Sequence, residues 1–205
     1  TRQNPLVNAG AIATHSFIQG ADSEAKIGAV VELYSALAGA ELAIDEDWRA
    51  TPRALTYTLA YQMLSEERLE GDVEDVAERY LEACIVGVTV QELAQMGATL
   101  ANGGVQPLSG RRVLSEETVR AVLSVMTVTS MDEDSGRWWT RVGLPAKSGV
   151  SGAILAVAPG WGAIVAYSPR LDPAGNSVRG ALAIRALSER WRLHTMDRLL
   201  SGTGG

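Results

Sequence analysis

The residues best suited to chemistry stand in a row at Lys147-Ser148-Gly149. Such a lysine supplies a positive field, the hydroxyl can bind a carboxylate or relay a proton, and glycine lets a backbone come close to an acyl group. A triplet is short, and an exposed turn before a strand would produce it too. Lysine chemistry has one other candidate, because Lys26 and Lys147 are the only lysines and every other basic residue is an arginine. Lys26 closes Ser23-Glu24-Ala25-Lys26, a spacing at which one helical turn sets an amine beside the hydroxyl it would deprotonate. The plainer reading of that pair is an N-cap serine and a surface lysine. Cys84, the single cysteine, has no evident base and reads as a core residue, and His15 and His194 are too few for a His-rich metal site.

These groups need a scaffold. The apolar runs Leu155-Ala156-Val157-Ala158 and Ala163-Ile164-Val165-Ala166, joined by Pro159-Gly160-Trp161-Gly162, predict two buried strands and a turn. The Lys147 triplet would then lie on an edge strand at the start of this hairpin. Upstream the chain reads as helical: from 8 to about 39, from Pro52 through Leu64, and from 75 to 84. Thr89 with Glu92 has capping-box spacing for a helix running to Asn102, which Gly103-Gly104 would stop. Ser115, followed by two glutamates, suits the start of a helix to about Met126. Residues 177 to about 200 have helical spacing, and 201–205 form a flexible, glycine-rich tail. No internal repeat is evident.

Composition bounds the function. The 205 residues, 46% hydrophobic and 20% charged, make a globular chain able to bury a core. A net charge of −6 without a basic cluster argues against nucleic acid. The apolar stretch from 152 to 167 is too short to span a bilayer and is broken by Pro159, so no membrane partner is expected. One cysteine excludes an internal disulfide and fits a cytoplasmic protein. No metal or organic cofactor is implied. A chain that starts at Thr1, with no methionine before Met63, is expected to lack its natural start.

Larger blocks narrow the choice. Residues 138–150 from Trp138 to Val150, Tyr167-Ser168-Pro169-Arg170-Leu171-Asp172 and Gly175-Asn176-Ser177-Val178-Arg179-Gly180 closely resemble the C-terminal half of the serine-dependent glutaminase family. The blocks Asn4-Pro5-Leu6-Val7-Asn8-Ala9-Gly10-Ala11-Ile12, Tyr80-Leu81-Glu82-Ala83-Cys84 and the stretch from Leu93 to Pro107 are similar to that family's too, in the same order. The resemblance implies an α+β, β-lactamase/transpeptidase-like fold, with a helical part and an antiparallel sheet, over residues 1–200 as a partial domain. It also implies a homo-oligomer that hydrolyses L-glutamine to L-glutamate and ammonia through a serine acyl-enzyme, without a cofactor. By resemblance Asn8, Tyr80 and Val150 bind substrate, the last through its backbone, while Lys147 and Ser148 support the chemistry. Asn8 as a turn or cap residue and Tyr80 as a core residue are the plain alternatives.

The pattern also departs from the family. Its nucleophile lies in a Ser-x-x-Lys motif upstream of the Asn-Ala-Gly-Ala block, whereas Ser23-x-x-Lys26 follows that block. No catalytic nucleophile is therefore assigned within these residues, and the chain alone is expected to be inactive. Where the family has a Ser-Glu pair and an asparagine against the substrate, this chain is shortened and offers Asp45 or Thr51 and then Pro52. Asp132 replaces a substrate-side tyrosine and adds negative charge. Two further readings stand beside the enzyme: a glutaminase-like binding or assembly module without catalysis, and a penicillin-recognising acylase.

Overall fold

The computed structural model describes residues 4–50, 54–129 and 131–201. The chain divides into two compact units, one of Thr1–Ser35 with Glu41–Val88 and one of Ala36–Ala40 with Thr89–Gly205.

The first unit is helical. It holds α1 (Asn8–Ser16), most of α2 (Ser23–Ala38), a 3₁₀ turn (Glu46–Ala50), α3 (Ala54–Ser65) and α4 (Val73–Cys84). Helix α4 starts where Asp72 accepts the Asp75 N–H at 2.9 Å, and Glu74 and Asp75 sit at the positive end of the helix dipole. Its buried stripe of Val73, Val76 and Ala77 packs with Ile12 of α1 and Ala60 and Met63 of α3. Ile12 is fully buried, and removing a side chain of that size from water contributes about 2–3 kcal/mol.

Some expectations are corrected here or lie outside the described residues. Ser23 is not the cap of α2: Asp22 is, its carboxylate accepting the Ala25 N–H at 2.8 Å, and Ser23 is the first helical residue. Lys26 is half-buried. Cys84 is exposed, because it ends α4 past the last residue of the buried stripe. The helix start expected at Pro52 lies outside the described residues, as does Thr51.

The second unit carries the sheet, β1 (Ala146–Ser148), β2 (Ala153–Ala158) and β3 (Gly162–Tyr167), antiparallel in the order β1-β2-β3. The helices in chain order are α5 (Val90–Ala101), α6 (Glu116–Thr129), α7 (Ser135–Val142), α8 (Val178–Trp191) and α9 (Thr195–Ser201). The capping box of α5 is formed: the Thr89 N–H donates to Glu92 at 2.7 Å and the Glu92 N–H to the Thr89 hydroxyl at 3.2 Å. Gly103 and Gly104, both with positive φ, end that helix.

Alternation along the strands gives the sheet two apolar faces. Leu155 and Ala163 face α5 at Gly97, where an added Cβ would lie 2.5 Å from Leu155 and 2.7 Å from Ala163. Ile154, Ala156, Ala158 and Ile164 face the other way and form a core with Ile184 of α8, Leu144 and Trp138. Two local features differ from the sequence expectation. Helix α7 and the 3₁₀ turn Asp132–Asp134 before it occupy a stretch assigned no element, and the last helix breaks in two at Arg192, whose φ is +52°. The break buries Leu193 to 2% exposure and lets Thr195 donate to the Gly143 carbonyl from both its N–H and its hydroxyl. Among the described residues no helix is long and apolar enough to cross a membrane.

Candidate functional site

In the first unit the turn from Asn4 to Val7 delivers Asn8 to the start of α1. Asn4 holds that turn by accepting the Leu6 N–H at 2.9 Å, and Val7, the N-cap, makes no side-chain cap bond. Asn8 is exposed and its side chain is committed to Tyr80 of α4, whose hydroxyl donates to Asn8 Oδ1 at 3.2 Å. Two candidates 72 positions apart in sequence are therefore brought together. The plain alternative for Asn8, a cap, is not what the side chain does. Tyr80 is half-buried, and burial followed by the nearby Cys84 thiol pushes its hydroxyl well above the ordinary phenol range. It is a neutral donor at physiological pH.

A buried polar cluster supports this pair. His15 packs its ring edge-on to Tyr80, with centroids 5.8 Å apart and planes at 83°. Burial, and secondarily the Arg79 guanidinium, lower the His15 imidazole to about 4, so it is neutral near pH 7. Arg79, 1% exposed, bonds the Asp75 carboxylate, the Ser23 hydroxyl at 3.2 Å and the His15 carbonyl at 3.3 Å. One guanidinium thus ties α1, α2 and α4 together. Ser23 is held by that clamp, and the Ser23 hydroxyl also helps keep the Asp75 carboxyl below its ordinary range. Arg79 was not singled out in the sequence, although its place between Val76 and Tyr80 on the buried stripe of α4 was a usable signal.

In the second unit Lys147 and Ser148 lie on β1, an edge strand as the hairpin pattern predicts. Lys147 pairs with Leu155 and Ser148 with Ile154, so their side chains leave opposite faces of the sheet. Ser148 is buried and Lys147 half-buried, its ammonium donating to the Ser148 carbonyl. Gly149 donates its N–H to the Ala153 carbonyl at 2.9 Å, and an added Cβ there would make only ordinary contacts, the nearest at 3.5 Å to the Ser151 hydroxyl. Val150 is not a strand residue. It is 86% exposed in the turn between β1 and β2, which leaves its backbone free to be approached. Met131 is buried and fixed by its N–H to the Ser135 hydroxyl at 3.1 Å; Asp132 is described through its backbone alone, as the first residue of the 3₁₀ turn. No group of three or more His, Cys, Asp or Glu suited to a metal ion occurs among the described residues.

A helical unit together with an antiparallel sheet flanked by helices, with Lys147 and Ser148 on its edge strand and Gly149 just past the strand's end, defines the α+β class with a β-lactamase-like fold. Within that class, the glutaminase family model matches residues 1–196, and the chain belongs to the glutaminase family. It is 44% identical over 205 residues to a glutaminase of Clavibacter michiganensis, covering 98% of this chain and 62% of that protein. With a glutaminase of Colwellia psychrerythraea it shares 43% over 190 residues, covering 91% and 61%. The crystal structure of Mglu in its glutamate form superposes with a TM-score of 0.89 at 43% identity, over 93% of this chain and 45% of that one. The Bacillus subtilis glutaminase YbgJ, solved as a covalent complex with 5-oxo-L-norleucine, gives 0.86 at 30% identity, over 94% and 69%. The chain therefore spans about three fifths of the length of the relatives it matches by sequence.

Proposed function

We propose that these residues supply the substrate-binding part of an amidohydrolase that converts L-glutamine to L-glutamate and ammonia. The observation that carries this reading is the Tyr80–Asn8 hydrogen bond of 3.2 Å. It sets a neutral phenol and a carboxamide side by side. The Asn8 amide NH₂ keeps its donors for a ligand, since Oδ1 is the atom Tyr80 uses. In the second unit, taken by itself, the resemblance assigns a substrate contact to the Val150 backbone, in the turn after β1. Lys147 contributes a positive field there, suited to the α-carboxylate of an amino acid, while Ser148, buried on the opposite face of β1, supports the strand.

The chemical step is acyl transfer to a serine. A serine oxygen bonds to the side-chain carbonyl carbon of glutamine, the C–N bond breaks, and ammonia departs with the proton taken from the hydroxyl. Water then splits the ester, releasing glutamate and restoring the serine. The covalent adduct of the Bacillus subtilis relative supports a nucleophilic mechanism. The serine belongs to a Ser-x-x-Lys segment that precedes Asn8 and is supplied from outside these 205 residues. Ser23 takes no part, being bonded to Arg79.

Ammonia release from L-glutamine tests this. Turnover is expected from a polypeptide in which a Ser-x-x-Lys segment precedes residue 1, and none from residues 1–205 alone. Turnover by residues 1–205 that persists in Ser23→Ala would overturn the assignment. A catalytically silent binding module is the second reading, favoured by Asp132 where the family has a substrate-side tyrosine. Calorimetry with L-glutamate separates the two, because binding without turnover in the extended polypeptide supports the module. We further propose a cytoplasmic homo-oligomer, which sedimentation of the extended polypeptide would test.

A further inference from the structure

A cleft of about 290 Å³ opens within the second unit, between α7, α8 and the turn from Asp172 to Val178. None of Asn8, Tyr80, Lys147, Ser148 or Val150 lines it. Its walls are apolar where Met131, Trp138, Val142 and Leu182 meet. The Trp138 indole N–H is already donated to the Leu144 carbonyl at 2.8 Å, so this ring offers a face and not a donor.

Asn176 stands on the same wall and is 3% exposed. Its backbone is satisfied, the N–H donating to the Asp172 carboxylate at 2.9 Å and the carbonyl accepting the Asp172 N–H at 2.8 Å. Its side chain is not: neither Oδ1 nor Nδ2 has a partner. A buried carboxamide with both ends unmet is rare in a folded protein and calls for a specific explanation. It sits in the Gly175-Asn176-Ser177 block, which the substrate contacts proposed above do not use.

Charge around the cleft selects the ligand. Arg137 is paired with Asp134 at 3.4 Å and Arg185 with Glu189 at 2.8 Å, while one oxygen of Asp172 takes two backbone N–H groups. Arg141 has no such partner among the described residues and is exposed on α7. One uncommitted guanidinium, one carboxamide able to donate and accept, and an aromatic wall fit a single planar anion attached to an apolar group. We infer that this cleft binds a small organic monocarboxylate, its carboxylate held by Arg141 and the Asn176 amide and its apolar body laid against Trp138, Met131 and Leu182. Inorganic phosphate would use the guanidinium but leave the apolar walls empty.

Titration of the isotopically labelled 205-residue chain with phenylacetate tests this by nuclear magnetic resonance. Saturable shifts are expected at the Trp138 indole N–H and the Asn176 side-chain amide. Arg141→Gln, an exposed change, should weaken phenylacetate about tenfold and leave benzyl alcohol unaffected, because it removes only a charge-assisted bond. Leu182→Asp, also exposed, should weaken phenylacetate by introducing a like charge at the wall. The inference fails if the shifts do not saturate, or if phenylacetate binds Arg141→Gln as tightly as the unaltered chain. It also fails if benzyl alcohol or inorganic phosphate binds the unaltered chain as tightly as phenylacetate.

Discussion

Acidification should destabilise this chain through His15 before it does so through any carboxylate. The imidazole is 9% exposed, its Nδ1 has no partner, and burial next to Arg79 lowers it from 6.5 to about 4. The sign follows from proton counting. In the unfolded chain the histidine binds a proton as pH falls below about 6.5, whereas the folded form resists until about 4, so the unfolded state gains protons first. Stability is complete above the unfolded value, declines between the two, and levels off below the folded one. A shift of this size corresponds to about 2 kcal/mol lost by pH 5 and about 3 kcal/mol at the plateau, with little screening at so low an exposure. Asp75 acts in a lower window. Its carboxyl is held down chiefly by the Ser23 hydroxyl, with Arg79 behind it and burial opposing, so its stabilisation is lost only as pH falls through a value below 3.8.

The assay is urea unfolding followed by circular dichroism between about pH 7.5 and about pH 5, on the unaltered chain and on His15→Gln. The variant will be less stable at every pH, because it loses the edge contact with Tyr80. The informative quantity is the difference in slope. The unaltered chain should lose about 2 kcal/mol more than the variant across that range. Parallel curves would refute the reasoning, since they would mean that His15 is protonated in the folded state and that Arg79 is not beside a neutral ring.

Three further outcomes are expected. Tyr80→Phe removes the hydroxyl that bonds Asn8 and should raise the glutamine KM by a few-fold to about tenfold in the extended polypeptide, with the fold intact by circular dichroism. Thr89→Ala removes one half of the α5 capping box and should lower stability by about 1 kcal/mol in denaturant. Gly97→Val should cost about 1–3 kcal/mol, read from the unfolding midpoint, because the new side chain starts within 2.7 Å of Leu155 and Ala163 across the helix–sheet contact.

What could be read from the sequence was local, and what could not was set by distant neighbours. The capping box at Thr89 and the hairpin from 153 to 167 were legible because a cap and an alternating apolar run need only residues a few positions apart. Ser23 was misassigned by one position because Asp22 and Ser23 are both good caps, and the choice falls to whichever is free. Arg79 has claimed the Ser23 hydroxyl, so the cap passes to Asp22. The break at Arg192 had no signal at all, since a non-glycine residue at φ +52° is tolerated only where burial of Leu193 and the two bonds from Thr195 to Gly143 overcome the local strain. Lys147 and Ser148 stood together in the sequence, and strand alternation sends them to opposite faces.

The Asn8–Tyr80 pair is the opposite case, far apart in sequence and joined by a single bond whose geometry depends on how α1 lies on α4. That packing rests on Arg79, whose guanidinium bonds residues of α1, α2 and α4. A buried arginine is costly unless every partner is present, so the candidate site and the fold of the first unit share the same clamp. Arg79→Met should therefore separate the two roles. If the apolar stem suffices for packing, the helices persist by circular dichroism while glutamine KM rises more than kcat falls in the extended polypeptide. Unfolding of the variant, or an unchanged KM in a folded one, would show that the clamp serves only one of them.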